Sequence, residues 1–366
     1  MVETRKFPHH MIKEIFEQPQ GLHDTIAPRI SLPEGVVQLN EVPIRRDELR
    51  ALQRINIVAS GTSRHAGMVG QYMIQELAGI PVDVDYASEF EYRNPMIGQS
   101  ELTIVITQSG ETADTGAAQR EAKARGSRTV AISNVAGTTI AREADGVIYT
   151  LAGPEISIAS TKAFTAQMAA LFLFALHLAQ ARETLPKDRL AHYIRELLDI
   201  PGKLKTLLAC APHCEQIATE FHKVDDFLFL GRAIHYPVAL DGALKLKEVS
   251  YVHAEAYQAA ELKHGPLALI NSSMPSVVIV PSDDLVSKNV STIEQIKARG
   301  GPVIAVTSAD LPSGLADAVV RVPRGEPELE PLLLNVPLQL LAYHVAAKLG
   351  RDIDKPRNLA KSVTVE

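Results

Sequence analysis

The sequence predicts an α/β protein made of two tandem, doubly wound domains with a parallel sheet in each. Three observations carry this prediction. Short apolar runs alternate with longer amphipathic segments, the scheme of the first half recurs in the second, and the 366 residues suit two domains of ordinary size. Strands that alternate with helices imply crossover connections, and therefore sheets covered by helices on both faces.

The predicted strands of the first half are short, rich in Val and Ile, and bounded by turn residues. They are INIVAS (55–60), VDVDYA (82–87), LTIVIT (102–107), TVAIS (129–133) and GVIYTL (146–151). The segments between them, such as HAGMVGQYMIQELAG (65–79), have helical spacing and a glycine stop. A long apolar run (163–179) is interrupted by Gln167 and His177, which favours a helix buried in a core over a membrane span.

The second half repeats the order of strand, glycine turn and helix. DFLFLGRAIHYPVALDGALKLKE (226–248) corresponds to the segment that starts with INIVAS, SVVIVPSDD (276–284) to LTIVITQSGE, and GPVIAVTSAD (301–310) to SRTVAISNVA. We therefore predict a helical lead over 1–44, a first domain over 45–184, a second domain over 185–352 and a tail over 353–366. The polar end of that tail predicts a frayed terminus.

Composition excludes several classes of protein. The chain has 37 basic and 43 acidic residues, a net charge of −6, and no basic block, which argues against nucleic acid as a partner. The N-terminus has no apolar leader segment, so we expect a cytoplasmic protein without a membrane anchor. Cys210 and Cys214 flank His213, but no complementary cluster follows, so thiols are favoured over a metal site. We expect no cofactor.

Two strand ends of the first half carry small hydrogen-bonding residues. These turns are ASGTS (59–63) and TQSGET (107–112), and neither contains Lys or Arg. Helix N-termini at the carboxyl ends of parallel strands favour an anion, and neutral donors suit a small sugar phosphate that exchanges. A helix N-cap explains either turn alone equally well. Asp283 and Asp284 stand at the matching position of the second half and would repel an anion, so we expect one phosphate site per chain.

A second constellation lies at residues 240–270. On a helix, Asp241, Lys245 and Glu248 share one face at i, i+4 and i+7, where a carboxylate and an ammonium can move protons. The alternative is a surface salt bridge. His264 falls in a predicted loop that ends at Gly265, where a histidine is more often solvated than catalytic.

These residues carry a resemblance to a known family. The sequence is similar to the isomerase half of the glutamine:fructose-6-phosphate aminotransferases, the glucosamine-6-phosphate synthases, which consists of two sugar-isomerase (SIS) domains. The similarity runs from residue 11 to the last residue. The segments that carry it are SGTSRHAGMVG, TQSGETADT, ASTKAFTAQ, ALKLKEVSYVHAEA, ELKHGPLALI and PRNLAKSVTVE.

The resemblance implies which residues bind the substrate, fructose 6-phosphate or glucosamine 6-phosphate. It implies backbone contacts to the sugar at Ala159 and Ala360. The implied contacts to the phosphate and the sugar hydroxyls are Ser60, Gly61, Thr62, Ser63, Thr107, Gln108, Ser109 and Thr112.

The resemblance also implies catalytic roles. Glu248 corresponds to the base that moves a proton between C1 and C2, and Lys245 to a residue that assists it. His264 corresponds to the ring-opening residue, which the neighbouring subunit of a homodimer supplies. Lys361 corresponds to the lysine that forms a Schiff base with the open ketose, so the tail is expected to be catalytic.

The chain departs from the family pattern at four points. Thr107 stands where the family usually has Ser, Ser60 where it often has Cys, and Asp241 where it has Glu. The N-terminal glutaminase domain is not part of this sequence, which begins Met1–Val2, so we expect no ammonia source within the chain.

The predicted function is interconversion of fructose 6-phosphate and glucosamine 6-phosphate. We expect it to run as a deaminase, with free ammonia, or with ammonia from a separate glutaminase partner. The alternatives are a sugar-phosphate sensor without turnover and an isomerase of another phosphosugar. A sensor has no need of the four acid–base residues together.

Overall fold

The computed structural model describes residues 7–362. By contacts the chain forms two compact units. The N-terminal unit comprises Gln20–Glu155 and Lys162–Pro201 with Ser362, and the C-terminal unit comprises residues 7–19, Ile156–Thr161 and residues 202–361. The predicted domain limits at residues 44, 184 and 352 are divisions of the sequence and stay predictions.

The sheet of the N-terminal unit has five parallel strands. A hairpin, β1 (Ile30–Ser31) and β2 (Val36–Val37), precedes it. The sheet strands are β3 (Arg54–Ala59), β4 (Val82–Tyr86), β5 (Glu101–Thr107), β6 (Arg128–Ser133) and β7 (Gly146–Tyr149), in the order β4-β3-β5-β6-β7. All neighbours are parallel, so the predicted doubly wound arrangement is confirmed.

The N-terminal unit takes its helices from the segments with helical spacing. They are α2 (Arg46–Ala51), α3 (Gly61–Ala78), α4 (Ala87–Phe90), α5 (Ala113–Ala124), α6 (Thr139–Glu143) and α7 (Lys162–Arg182), while α1 (His10–Ile26) and α8 (Lys187–Leu207) have residues in both units. A short 3-10 helix covers Ala27–Arg29. Within the described residues, α7 is long and apolar enough to cross a membrane, yet 89% of its most apolar window is buried and it packs on α3. It is the predicted core helix.

The C-terminal unit repeats the same topology. Its strands are β8 (Asp226–Gly231), β9 (His253–Gln258), β10 (Ser276–Val280), β11 (Val303–Thr307) and β12 (Ala318–Arg321), in the order β12-β11-β10-β8-β9. Counted within each unit, both sheets follow the order 2-1-3-4-5, which confirms the internal duplication. The central strands β10 and β11 are buried along their whole length, as expected when both faces of a parallel sheet are covered.

Helices of the C-terminal unit cover its sheet and carry part of the candidate site. They are α9 (Ala211–Phe221), α10 (Tyr236–Ser250), α11 (Val286–Lys297) and α12 (Glu330–Lys348), with 3-10 helices at Leu208–Cys210, Ala233–His235, Glu261–His264 and Pro266–Leu269. The buried helix α12 packs against α10 and α9.

Candidate functional site

The two hydroxyl-rich turns follow neighbouring strands. Ala59 of β3 pairs with Ile106 of β5, so Ser60 and Thr107 lie at the same edge of the sheet. Because β4 lies on one side of β3 and β6 beyond β5, this is the point where the strand order reverses. Ligands of open α/β sheets bind in the crevice at such a switch point, beyond the carboxyl ends of the strands.

The turn after β5 gathers its hydroxyl groups by local hydrogen bonds. The backbone N–H of Gly110 donates to Thr107 Oγ1 at 3.1 Å, and Thr107 Oγ1 and Thr112 Oγ1 are also 3.1 Å apart. Ser109 Oγ accepts the N–H of Glu111 at 3.2 Å. Thr107 is buried, whereas Gln108, Ser109 and Thr112 are half-buried. The turn therefore offers hydroxyls that are held in place but reachable from solvent.

The alternative interpretation of these turns as helix caps does not fit. Ser60 and Thr112 occupy the N-cap positions of α3 and α5, yet within the described chain neither side chain makes the capping hydrogen bond. The first N–H groups of a helix have no partner inside the helix and carry a partial positive charge. At these two helices they stay available to an anion.

Glycines give the two turns their shape. Gly61 has φ +52° and Gly110 has φ +73°, which is the left-handed region that favours glycine. A Cβ on Gly110 would lie 2.0 Å from Thr138 Oγ1, whereas a Cβ on Gly61 would meet open space. The turn after β5 therefore needs glycine for both conformation and space.

The structure adds a residue beside these turns, Gln167, which was not assigned to the site from the sequence. Gln167 of α7 donates from Nε2 to Ser63 Oγ at 3.1 Å, which orients that hydroxyl. Gln167 Oε1 is buried and has no hydrogen-bond partner among the described residues. An amide in an otherwise apolar helix was the available signal. Its free oxygen suits a ligand hydroxyl.

Two ionisable residues of α10, Lys245 and Glu248, form a largely buried pair in the C-terminal unit. Lys245 Nζ donates to Glu248 Oε2 at 2.5 Å, and the side chains are 1% and 20% exposed. Asp241 is also buried on the same helix. The alternative of a surface salt bridge is therefore wrong, because the Lys245 side chain is buried and not solvated. Glu248 keeps an open side through which its carboxylate can reach a ligand.

His264 lies at the end of a 3-10 helix rather than in an irregular loop. Its side chain is exposed, and Gly265 follows with φ +149°.

The segment with Ala159 is held by a buried carboxylate from α1. Glu14 Oε1 accepts the N–H of Ile156 at 2.5 Å, and the Glu14 carboxylate also accepts the hydroxyl of Ser157. Ser157 Oγ donates in turn to the carbonyl of Ala159 at 3.0 Å. Sequence reasoning missed Glu14, since nothing local links it to residues more than a hundred positions away.

The tail is not frayed over its described part, so the expectation for 355–366 is wrong there: the N–H of Arg357 donates to the hydroxyl of Tyr251 at 2.9 Å, and the residues just before this segment are anchored as well. Ile353 is fully buried, and the carboxylate of Asp354 accepts the N–H groups of His10 and Met11 at 2.8 and 2.9 Å. The N–H of Ile158 donates to the carbonyl of Asp354 at 3.0 Å. Long-range hydrogen bonds and the buried Ile353 therefore hold this segment, which is in neither a helix nor a strand.

Ser362, the last described residue, contacts the turn after β5 within the N-terminal unit. Ser362 Oγ is 3.1 Å from Ser109 Oγ. Lys361, directly before it in the chain, is half-buried, and Ala360 is exposed. Residues 363–366, the last of the predicted tail, lie outside the described residues.

In the C-terminal unit, a carboxylate of the chain itself lies at the carboxyl ends of β10 and β11. Glu330, 1% exposed, accepts the hydroxyls of Ser282 and Ser308 at 2.6 and 2.7 Å and the N–H of Gly325 at 3.3 Å. Burial also raises the pKa of Asp283. The matching turn is thus occupied by an internal anion, which supports a single phosphate site more strongly than repulsion by aspartates does.

The structure describes no metal cluster near the cysteines. Across residues 7–362 no group of three or more His, Cys, Asp or Glu side chains is arranged to hold a metal ion. Cys210 and Cys214 are free thiols with their sulfurs 4.0 Å apart, and a ring nitrogen of His213 contacts the carbonyl of Val319 at 3.1 Å.

Comparisons with known proteins agree with this fold. The model of the SIS domain matches residues 48–177 and 220–349. Two curated relatives are glutamine–fructose-6-phosphate aminotransferases [isomerizing]. The one from Caldanaerobacter subterraneus subsp. tengcongensis is 49% identical over 366 residues, and the one from Chlorobaculum tepidum is 48% identical over 367. Each alignment covers all of this chain, which spans about 60% of the relative's length.

A solved structure is similar over nearly its full length. It is the C-terminal domain of glucosamine-fructose-6-phosphate aminotransferase from Francisella tularensis, with 39% sequence identity and a TM-score of 0.91. The alignment covers 96% of this chain and 99% of that one.

Proposed function

The chain belongs to the SIS domain family, and from this premise we propose that it is an enzyme that interconverts fructose 6-phosphate and glucosamine 6-phosphate. The observation that carries the proposal is the 2.5 Å pair between the buried Lys245 and Glu248. A protein that only senses a sugar phosphate has no use for a desolvated acid–base pair. The names and the 45–49% identity of the curated relatives support the hexosamine substrate.

In this proposal the phosphate binds at the switch point of the N-terminal unit. The uncapped N-termini of α3 and α5 donate backbone N–H groups, and Ser60, Thr62, Ser63, Ser109 and Thr112 donate hydroxyls. Thr107 and Gln108 complete the turn. The absence of Lys and Arg from residues 59–63 and 107–112 leaves the phosphate held by neutral donors, which suits a substrate that must leave after each turnover.

The chemistry takes place at the carbonyl end of the open sugar. The amine of Lys361 attacks C2 of fructose 6-phosphate and water leaves, so that a Schiff base forms. Ammonia then adds to C2 and releases the lysine. Glu248 removes a proton from C1 and returns one to C2, which gives the aldehyde at C1 and the amine at C2. The sum is fructose 6-phosphate plus ammonia to glucosamine 6-phosphate plus water.

The remaining residues support this sequence of steps. Lys245 fixes the Glu248 carboxylate in place through its charge-assisted hydrogen bond. Backbone groups of Ala159 and Ala360 contact the sugar. We further propose a homodimer in which His264 of one subunit opens the sugar ring bound by the other, because its side chain is exposed at the end of a 3-10 helix. The two free thiols suit the reducing cytoplasm.

The proposal is tested by supplying the purified chain with fructose 6-phosphate and ammonia, glutamine or neither, and with glucosamine 6-phosphate alone. We expect glucosamine 6-phosphate with ammonia and the reverse reaction from the amino sugar. Binding of both sugar phosphates without any product would favour the sensor. Isomerisation of fructose 6-phosphate without uptake of ammonia would favour a simple phosphosugar isomerase.

A further inference from the structure

Helix α10 ends in an unusual way three residues after Glu248. Tyr251 takes the C-cap position with φ +66° and ψ 9°, and its N–H donates to the carbonyl of Lys247 at 3.2 Å. The left-handed conformation at a helix end is normally left to glycine, since a bulky side chain is strained there. A tyrosine at this strained position indicates that contacts of its side chain compensate for the strain.

The side chain of Tyr251 holds the tail. Its hydroxyl oxygen accepts the backbone N–H of Arg357 at 2.9 Å. The guanidinium carbons of Arg357 and Arg351 lie 4.3 and 5.1 Å from the centre of its ring. Arg351 Nε also donates to the carbonyl of Ser250 at 3.2 Å. The stacked cation and the backbone N–H of Arg357 therefore attach the tail to the end of α10, and Arg351 attaches the segment just before it.

The attachment limits where Lys361 can go. Lys361 is the fourth residue after Arg357, and a fully extended chain over four residues reaches about 14 Å. Residues 358–362, the last that the structure describes, lie in no helix or strand. Because Tyr251 is three residues from Glu248, the same side chain sets the distance range between the proposed amine and the proposed base.

We propose that Tyr251 is a positioning residue, which fixes the tail so that Lys361 reaches the ketose carbonyl on which Glu248 acts. This inference rests on the proposed function. Tyr251 itself does not touch the substrate. It acts through Arg357, which lies with Lys361 beyond the last residue, 349, that the SIS domain model matches.

The test is Tyr251→Phe, which keeps the ring and removes the hydroxyl. Tyr193→Phe is the matched control. The hydroxyl of Tyr193 accepts a hydrogen bond from Arg189 at 2.9 Å, and the guanidinium carbon of Arg189 lies 4.6 Å from the centre of the Tyr193 ring. Tyr193 lies in the N-terminal unit. The readouts are borohydride trapping of fructose 6-phosphate on Lys361, kcat and KM with ammonia, and hydrogen exchange of the Arg357 amide.

For Tyr251→Phe we expect trapping and kcat to fall about fivefold and Arg357 exchange to rise about fivefold, as for one lost hydrogen bond, with KM unchanged. Tyr251→Leu, which also removes the ring, should lose more. Equal trapping in Tyr251→Phe and the wild type overturns the positioning role alone, as does an equal loss in Tyr193→Phe. A wild-type chain that forms no adduct overturns the proposed function, and the positioning role with it.

Discussion

Replacing Gly110 by alanine tests the geometry of the turn after β5, where we propose that the phosphate binds. At φ +73° an alanine is strained by about 1–2 kcal/mol. Its Cβ would also lie 2.0 Å from Thr138 Oγ1 and 2.6 Å from Thr138 Cβ, closer than real Cβ atoms come, and such overpacking costs about 1–3 kcal/mol. The expected loss in the free energy of unfolding is therefore about 3 kcal/mol.

Alanine substitutions at two other glycines separate the backbone strain from the overpacking against Thr138. Gly61→Ala meets open space at φ +52°, so only the strain of about 1–2 kcal/mol is expected. Gly98→Ala meets open space without a positive φ and should change stability by less than about 0.5 kcal/mol. A cycle with Thr138→Gly should show about 1–3 kcal/mol of coupling between positions 110 and 138, because the glycine removes every clashing atom.

The assay is urea unfolding of the variants with and without fructose 6-phosphate. Gly110→Ala should lose stability and also most of the stabilisation by the sugar phosphate, since the displaced turn no longer presents its donors. If Gly110→Ala is no less stable than Gly61→Ala, or keeps full stabilisation by the ligand, the described geometry of the turn is wrong.

Two further predictions concern buried titratable groups of the C-terminal unit. Burial without partners among the described residues lowers the pKa of His235 to about 3. The contribution of the neutral ring to the free energy of unfolding is therefore complete above the usual pKa of 6.5 and is lost as the pH falls towards 3. From pH 7.5 to 5.5 the wild type should lose about 1.4 kcal/mol more than His235→Leu in urea unfolding, and parallel curves would refute this. Glu330→Gln should cost about 3 kcal/mol in the same assay, because an amide cannot replace a carboxylate that accepts several donors, and a loss below about 1 kcal/mol would contradict the internal-anion role.

Repeated local patterns made much of the fold predictable. Parallel strands buried on both faces read as continuous apolar runs, so the strands around 55–60, 102–107 and 276–280 were evident. Strand β9 was not foreseen, because HAEAYQ has no β-branched residue and is half exposed in alternation. The duplication was visible because equivalent turns follow equivalent strands.

The site was predictable only where its parts are local. The i, i+3 spacing of Lys245 and Glu248 gives their contact directly on a helix. The contact between Ser109 and Ser362 spans 253 residues, and that between Arg357 and Tyr251 spans 106. Local propensity carries no information about such pairs. For the same reason the polar tail looked frayed although long-range hydrogen bonds hold it.

The most direct test of the proposed chemistry is the fate of the hydrogen at C1. Fructose 6-phosphate with two deuterium atoms at C1 is incubated with ammonia, and the product is followed by NMR for the wild type and Glu248→Gln side by side. We predict that the wild type breaks one C1–D bond per turnover, whereas the variant breaks it at least about a hundredfold more slowly and is still stabilised by the sugar phosphate. Cleavage by Glu248→Gln at the wild-type rate would contradict the assignment of Glu248 as the base.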